Sequence, residues 1–208
     1  HKIQFSDNTR SPNNKRYSFL ESSLIKDFLL ILEFDSSVTS YIIKPIKIQY
    51  NQSNKRYSYT PDFLVSFDEE IINHKILYEI ISSFELAKHK ESLLPKFNSA
   101  RAFATSNGWD FKVFTEKEIR TTYLENIKFL KKFIYFKIEN YKDFKQLIQT
   151  IYDLNHTTPT EVVLACGCDK RKRNKVLCNI WHMIATGDLL CDLNLKLTME
   201  SEIWLKQV

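Results

Sequence analysis

Glycine is scarce in this chain, three residues in 208, and proline is nearly as rare at five. Both shortages argue against a loop-rich, collagen-like or disordered polypeptide. No apolar run approaches the length of a membrane-spanning helix, and no stretch reads as a signal peptide. Cysteine is confined to the C-terminal part, at Cys166, Cys168, Cys178 and Cys191, without any C-x-x-C pair. His182 is the one histidine among them, so reduced thiols are the reading, with a zinc site as its alternative. What is present is ordinary for a globular protein, 43% hydrophobic and 26% charged. The length suits one generous domain or two small ones, either able to bury a core. A formal charge of +5 is compatible with a nucleic-acid partner without requiring one.

Residues 1–16 are polar and aperiodic and read as a flexible arm. From Ser22, apolar residues at Leu24, Ile25, Phe28, Leu29, Ile31 and Leu32 recur at helical spacing, with Ser22 or Ser23 as the expected cap. Strands are predicted at 38–43 and 46–50, with a hairpin turn at 51–54. The pattern continues with an apolar run at 63–67, a charged turn at 68–70 and a strand at 75–81. A helix over 85–107, a strand at 110–114 and a helix opening near Thr115 complete an α/β core. A second module follows from about residue 138. Helical patterns cover 141–154 and 160–166, a basic segment introduces a helix over 174–185, Gly187 ends it, and 189–197 alternates like a strand. Three helices followed by a short β-wing is the layout of a winged helix.

The chemistry is carried by Tyr59-Thr60-Pro61-Asp62-Phe63 and Leu77-Tyr78-Glu79-Ile80-Ile81. A metal-dependent nuclease needs carboxylates that converge on a hard divalent ion, and Mg²⁺ takes only one or two from the protein. Asp62 and Glu79 suffice as a minimal set. Singly, an Asp after Pro makes a turn and a strand Glu faces solvent; the pair on successive strands is what favours catalysis.

Several stretches resemble the TnsA family, the endonuclease subunits of heteromeric Tn7-like transposases. They are Glu21-Ser22-Ser23-Leu24, residues 32–38, Lys44-Pro45, Tyr59-Thr60-Pro61-Asp62-Phe63-Leu64-Val65 and Phe114-Thr115-Glu116-Lys117-Glu118-Ile119. The similarity spans about 17–132 and continues more loosely through residues 180–184 and 187–189. It implies a restriction-endonuclease-like N-terminal domain over 17–137 and a winged-helix C-terminal domain over 138–208. It also implies a cytoplasmic bacterial protein that acts on DNA at transposon ends, with a TnsB-like transposase and a TnsC-like ATPase as partners. Mg²⁺ on Asp62 and Glu79 is the implied cofactor.

Two positions depart from the family's pattern. Its glutamate on the first helix corresponds to Ile25, and its lysine two positions beyond Glu79 corresponds to Ile81. Strand alternation sets residues 79 and 81 on the same face, so an aliphatic chain stands where a cation is expected. Glu21, one turn before Ile25, is a candidate displaced carboxylate, and Lys75, Lys88 and Lys90 are candidate displaced lysines. Two losses together favour an impaired or lost cleavage activity, with relocated site residues as the alternative. The basic run Lys170, Arg171, Lys172, Arg173 with Lys175 is a candidate DNA contact, although charge runs are more often solvated helix faces. Two other classes stay open, a non-catalytic DNA-binding regulator and a standalone nuclease.

Overall fold

A computed structural model describes residues 15–68, 74–167 and 169–206, apart from the side chains of residues 15–22 and 171. Two compact units divide the chain, His1–Arg120 and Thr121–Val208. The arm expected over residues 1–16 lies almost wholly outside the described residues.

The first unit opens with helix α1 (Lys15–Phe34). It begins before the expected caps, so Ser23 sits inside it and its Oγ accepts a hydrogen bond from Arg120 Nη2 at 2.8 Å. Strands β1 (Val38–Ile43), β4 (Phe63–Phe67), β5 (His74–Ile80) and β6 (Asp110–Phe114) form a sheet in the order β1-β4-β5-β6. The first two pairings are antiparallel and β5–β6 is parallel. A parallel pair needs a crossover, supplied here by α2 (Ser83–Lys88) and α3 (Lys90–Ser106). The sequence predicts one helix there. The backbone instead leaves the helical region at His89 (φ −113°, ψ 20°), whose N–H closes α2 on Glu85 O while its carbonyl opens α3.

Alternation along β5 sorts its side chains onto two helical layers. Tyr78 packs with Phe28 of α1, ring centroids 5.0 Å apart, and Phe63 and Phe114 join the same cluster. Leu77, on the other face, meets Ala100 and Ala104 of α3 together with Leu64 and Ile48. Strands β2 (Ile48–Gln52) and β3 (Lys55–Tyr59) form a hairpin that is a sheet of its own. Its turn residues Ser53 and Asn54 both take positive φ, 49° and 59°, the primed two-residue turn that matches strand twist. Thr115 then caps the short helix α4 (Glu116–Ile119) in a full capping box with Glu118.

The second unit holds α5 (Thr122–Leu130), a 3₁₀ turn (Lys131–Phe133), α6 (Tyr141–Leu154), α7 (Pro159–Ala165) and α8 (Lys170–Thr186). Leu124, Ile127 and Leu130 of α5 are fully buried, and α5 packs on α8, which groups residues 121–137 with this unit. Helix α8 begins at Lys170, so the basic run forms its first turns instead of preceding it. Gly187 ends it with φ 78°. The strand expected over 189–197 is only β7 (Leu189–Leu190), paired antiparallel with β8 (Trp204–Leu205). Buried Asn126 supplies the physical reason: its Nδ2 donates to Leu193 O and Leu195 O, and its Oδ1 accepts from Leu197 N. A side chain thus takes the bonds that a neighbouring strand would make. A single bridge joins Thr157 to Ile203. Among the described residues no helix is long and apolar enough to cross a membrane.

Candidate active site

Pairing of β4 with β5 sets Phe63 opposite Tyr78. One step further along that register, Asp62 comes opposite Glu79, on the face that α3 covers. Asp62 is pinned on both sides: its N–H donates to Tyr78 O at 2.9 Å, and its carbonyl accepts from Lys44 N at 2.8 Å. Its Oδ2 accepts from Ile80 N at 2.7 Å, and its Oδ1 accepts from Lys44 Nζ at 2.5 Å. Lys44 reaches it from a left-handed backbone turn, φ 52°, between β1 and Pro45, a conformation that non-glycine residues adopt at a cost and often near functional sites.

Glu79 pairs through Oε1 with Lys96 Nζ, while Oε2 is buried without a hydrogen-bond partner. Asp62 and Glu79 are 6% and 7% exposed. Like charges directly across a strand pair repel, and buried carboxylates lose hydration. Accordingly, burial first and the Asp62 charge second raise the Glu79 pKa to about 7, against the opposing pull of Lys96 and Lys44. Tyr59 completes the surroundings. Lys96 Nζ lies 4.5 Å from its ring centroid, and its hydroxyl is buried and unpartnered. Burial, then the charges of Glu79 and Asp62, push that phenol's pKa up.

Lys96 is the residue that sequence reasoning missed. Lys75 lies over the Trp109 ring and Lys88 over the Phe84 ring, each 5.7 Å from the centroid, and Lys90 is exposed at the start of α3. Among the described residues, the ammonium groups paired with the two carboxylates are Lys44 and Lys96. The signal that could have found Lys96 is a stripe. Lys96, Ala100 and Ala104 recur every fourth residue, one line along a helix. Leu77 packs on the two alanines, so Glu79, two residues on and on the same strand face, meets the next position of that stripe. Ile81 remains what the sequence makes it, an aliphatic chain 8% exposed with its N–H on Phe114 O. Ile25 is half-buried on α1, and the side chain of Glu21 lies outside the described residues.

Among the described residues no three of His, Cys, Asp and Glu converge as a metal cluster. Cys166, Cys178 and Cys191 are half-buried, while Cys168 lies outside the described residues. On α8, Lys170, Lys172 and Arg173 are exposed, and Lys175 Nζ pairs with Glu139 Oε2 at 2.6 Å. Asp169 Oδ1 accepts from Lys172 N at 2.9 Å near the start of that helix. The Arg171 side chain lies outside the described residues.

A search of curated proteins finds no match to the chain. Residues 35–116 match the family model described as TnsA-like endonuclease N terminal. That stretch begins at the end of α1, contains Lys44, Asp62, Glu79 and Lys96, and ends at the start of α4. This stretch of the chain is therefore similar to the N-terminal domain of TnsA-like endonucleases.

Proposed function

We propose that the protein is the TnsA-like subunit of a Tn7-like DNA transposition machinery, and that its N-terminal site cuts the 5′ strand at transposon ends. A TnsB-type transposase and a TnsC-type ATPase would be its partners. The observation that carries the cleavage reading is Lys96 on the face of Glu79 beside Asp62. Ile81 removes a lysine from the strand, and α3 returns one to the same carboxylate. Holding two carboxylates side by side in the interior costs stability, and perturbed, paired ionisable groups of this kind gather at working sites.

The donor set fits a divalent cation. Mg²⁺ takes one or two carboxylates from a protein, and the partnerless Glu79 Oε2 is an oxygen left for such an ion. Asp62 and Glu79 would hold it. Bound there, it supplies an acidified water and neutralises charge on the phosphate. The chain's own residues do the remainder. Lys44 fixes Asp62, and the Ile80 N–H orients its second oxygen. Lys96, which reaches Glu79 from α3, would present its ammonium to the scissile phosphate or the attacking water.

For the second unit we propose a winged-helix domain. The order α6, Thr157 bridge, α7, α8, β7, β8, with Thr157 pairing to Ile203 and β7 to β8, supports it. Lys170, Arg171, Lys172, Arg173 and Lys175 would contact DNA phosphates from the first turns of α8.

The test is Mg²⁺- or Mn²⁺-dependent 5′ nicking of transposon-end DNA by the full chain with its TnsB partner. Nicking is expected, abolished by Asp62→Ala and reduced about 10²- to 10³-fold by Lys96→Ala, the range for removing one group that stabilises transition-state charge. Absent nicking, with transposition still requiring the protein, would make it a non-cutting structural subunit.

A further inference from the structure

We propose that the β2–β3 hairpin is a DNA-holding arm of the nuclease site, one that grips the strand a few nucleotides from the scissile phosphate; this rests on the endonuclease reading above. From Val38 to Pro61 the chain carries Lys44, Lys47, Lys55 and Arg56 and not one aspartate or glutamate. The hairpin pairs only with itself among the described residues. Its root is anchored by Ile48, 5% exposed against Leu77, Ala100 and Ala104.

Register sorts its two faces. Ile48 opposes Tyr59, Tyr50 opposes Tyr57, and Gln52 opposes Lys55, so these six share one side. Tyr50 stacks on Tyr57 with centroids 5.6 Å apart and rings 25° from parallel, and meets Tyr59 edge-on at 6.4 Å. The three rings form a ladder from root to tip. Its lowest rung, Tyr59, lies under Lys96 in the active site, and its outer rung, Tyr57, is 43% exposed. The other face presents Gln49, Asn51, Arg56 and Ser58, all exposed.

An acid-free arm that combines cations, amides and aromatic faces fits a polyanionic strand. The cations neutralise phosphates, and tyrosine rings accept sugars or bases. The tip, Gln52-Ser53-Asn54, offers amides and a hydroxyl where a membrane-binding or apolar docking element would carry large aliphatic groups. Its reach suits the task. Tyr59 to Lys55 is four strand residues, about 13 Å, or about four nucleotide steps at duplex rise. The primed turn at Ser53-Asn54 fixes the strand register, so the arm is a stiff element rather than a loop.

The experiment is fluorescence anisotropy of a labelled DNA duplex with the full chain in EDTA, where no strand is cut, across a salt series. For Lys55→Ala/Arg56→Ala, affinity is expected to fall about 10-fold at low salt, and the slope of log K against log salt to flatten by roughly 2, for two lost phosphate contacts. Tyr57→Ala is expected to weaken binding several-fold at an unchanged slope. Unaltered affinity and slope in the double variant, with its circular dichroism and Tm unchanged, overturns the arm. If nicking persists in that variant, the arm alone has failed. A wild-type chain that neither binds duplex nor nicks it overturns the endonuclease reading as well.

Discussion

Glu79 holds one oxygen against Lys96 and keeps the other buried without a partner, opposite the Asp62 charge. Its carboxyl titrates near pH 7, well above the ordinary 4.5, so the folded state binds that proton more tightly than the unfolded chain. The linked stability is therefore fully present below about pH 4.5, falls as pH rises, and is gone above about pH 7. Urea unfolding in EDTA should show this decline, on the order of 3 kcal/mol across the window. Glu79→Gln should remove that part of the slope. Mg²⁺ should raise the Tm above pH 7, where the carboxylate is ionised, and leave it unmoved near pH 5; equal shifts at both pH values would argue against metal binding by this pair. The residue types were legible at this scale. Pro61-Asp62 and Glu79 could be read as a carboxylate pair because each sits in a strand pattern. Lys96 could not, because a lysine on a helix reads as solvated until the strand beneath it is known.

Elements were legible where local chemistry decides them. Tyr141–Leu154 has a helical apolar stripe and an Asn140 cap that accepts from Lys142 N and Asp143 N, and the sequence-based boundaries agree with it. Thr115 is a comparable case. It is 6% exposed, and both its N–H and its hydroxyl donate to Glu118 Oε2 while its Oγ1 accepts from Lys117 N. Thr115→Ala should destabilise the first unit by about 1 kcal/mol, at most about 2, in the same unfolding experiment. Thr115→Ser, which keeps the hydroxyl, should cost less than half of that. Local chemistry misled where long-range contacts intervened. The break at His89 carries no glycine or proline mark, and the alternating run 189–197 yields to the Asn126 side chain, more than sixty positions earlier in the sequence.

Across the whole molecule, charge is spread unevenly over the two units. The first holds its buried acidic pair beside the acid-free segment 38–61, and the second concentrates cations at the start of α8. If the second unit contributes to DNA affinity, Lys170→Ala/Lys172→Ala/Arg173→Ala should flatten the salt dependence of duplex binding by up to roughly 3. The nicking rate at saturating DNA should stay unchanged, since these residues lie outside the unit that holds Asp62 and Glu79. A loss of rate at saturation would show that α8 does more than bind.

The sequence by itself determined the strand carrying Tyr78 and Glu79, the Pro61-Asp62 step, the helix opening near Thr115 and the resemblance to TnsA. Each of these is written within a few neighbouring residues, where spacing and side-chain type act directly on the backbone. Tertiary structure alone decided that Asp62 faces Glu79, that Lys44 and Lys96 are the cations paired with them, and that Tyr59 lies beneath Lys96. Those relations depend on how β4 pairs with β5 and how α3 lies across them. Strand register and helix packing are set by the fit of the whole core, not by any short stretch of chain.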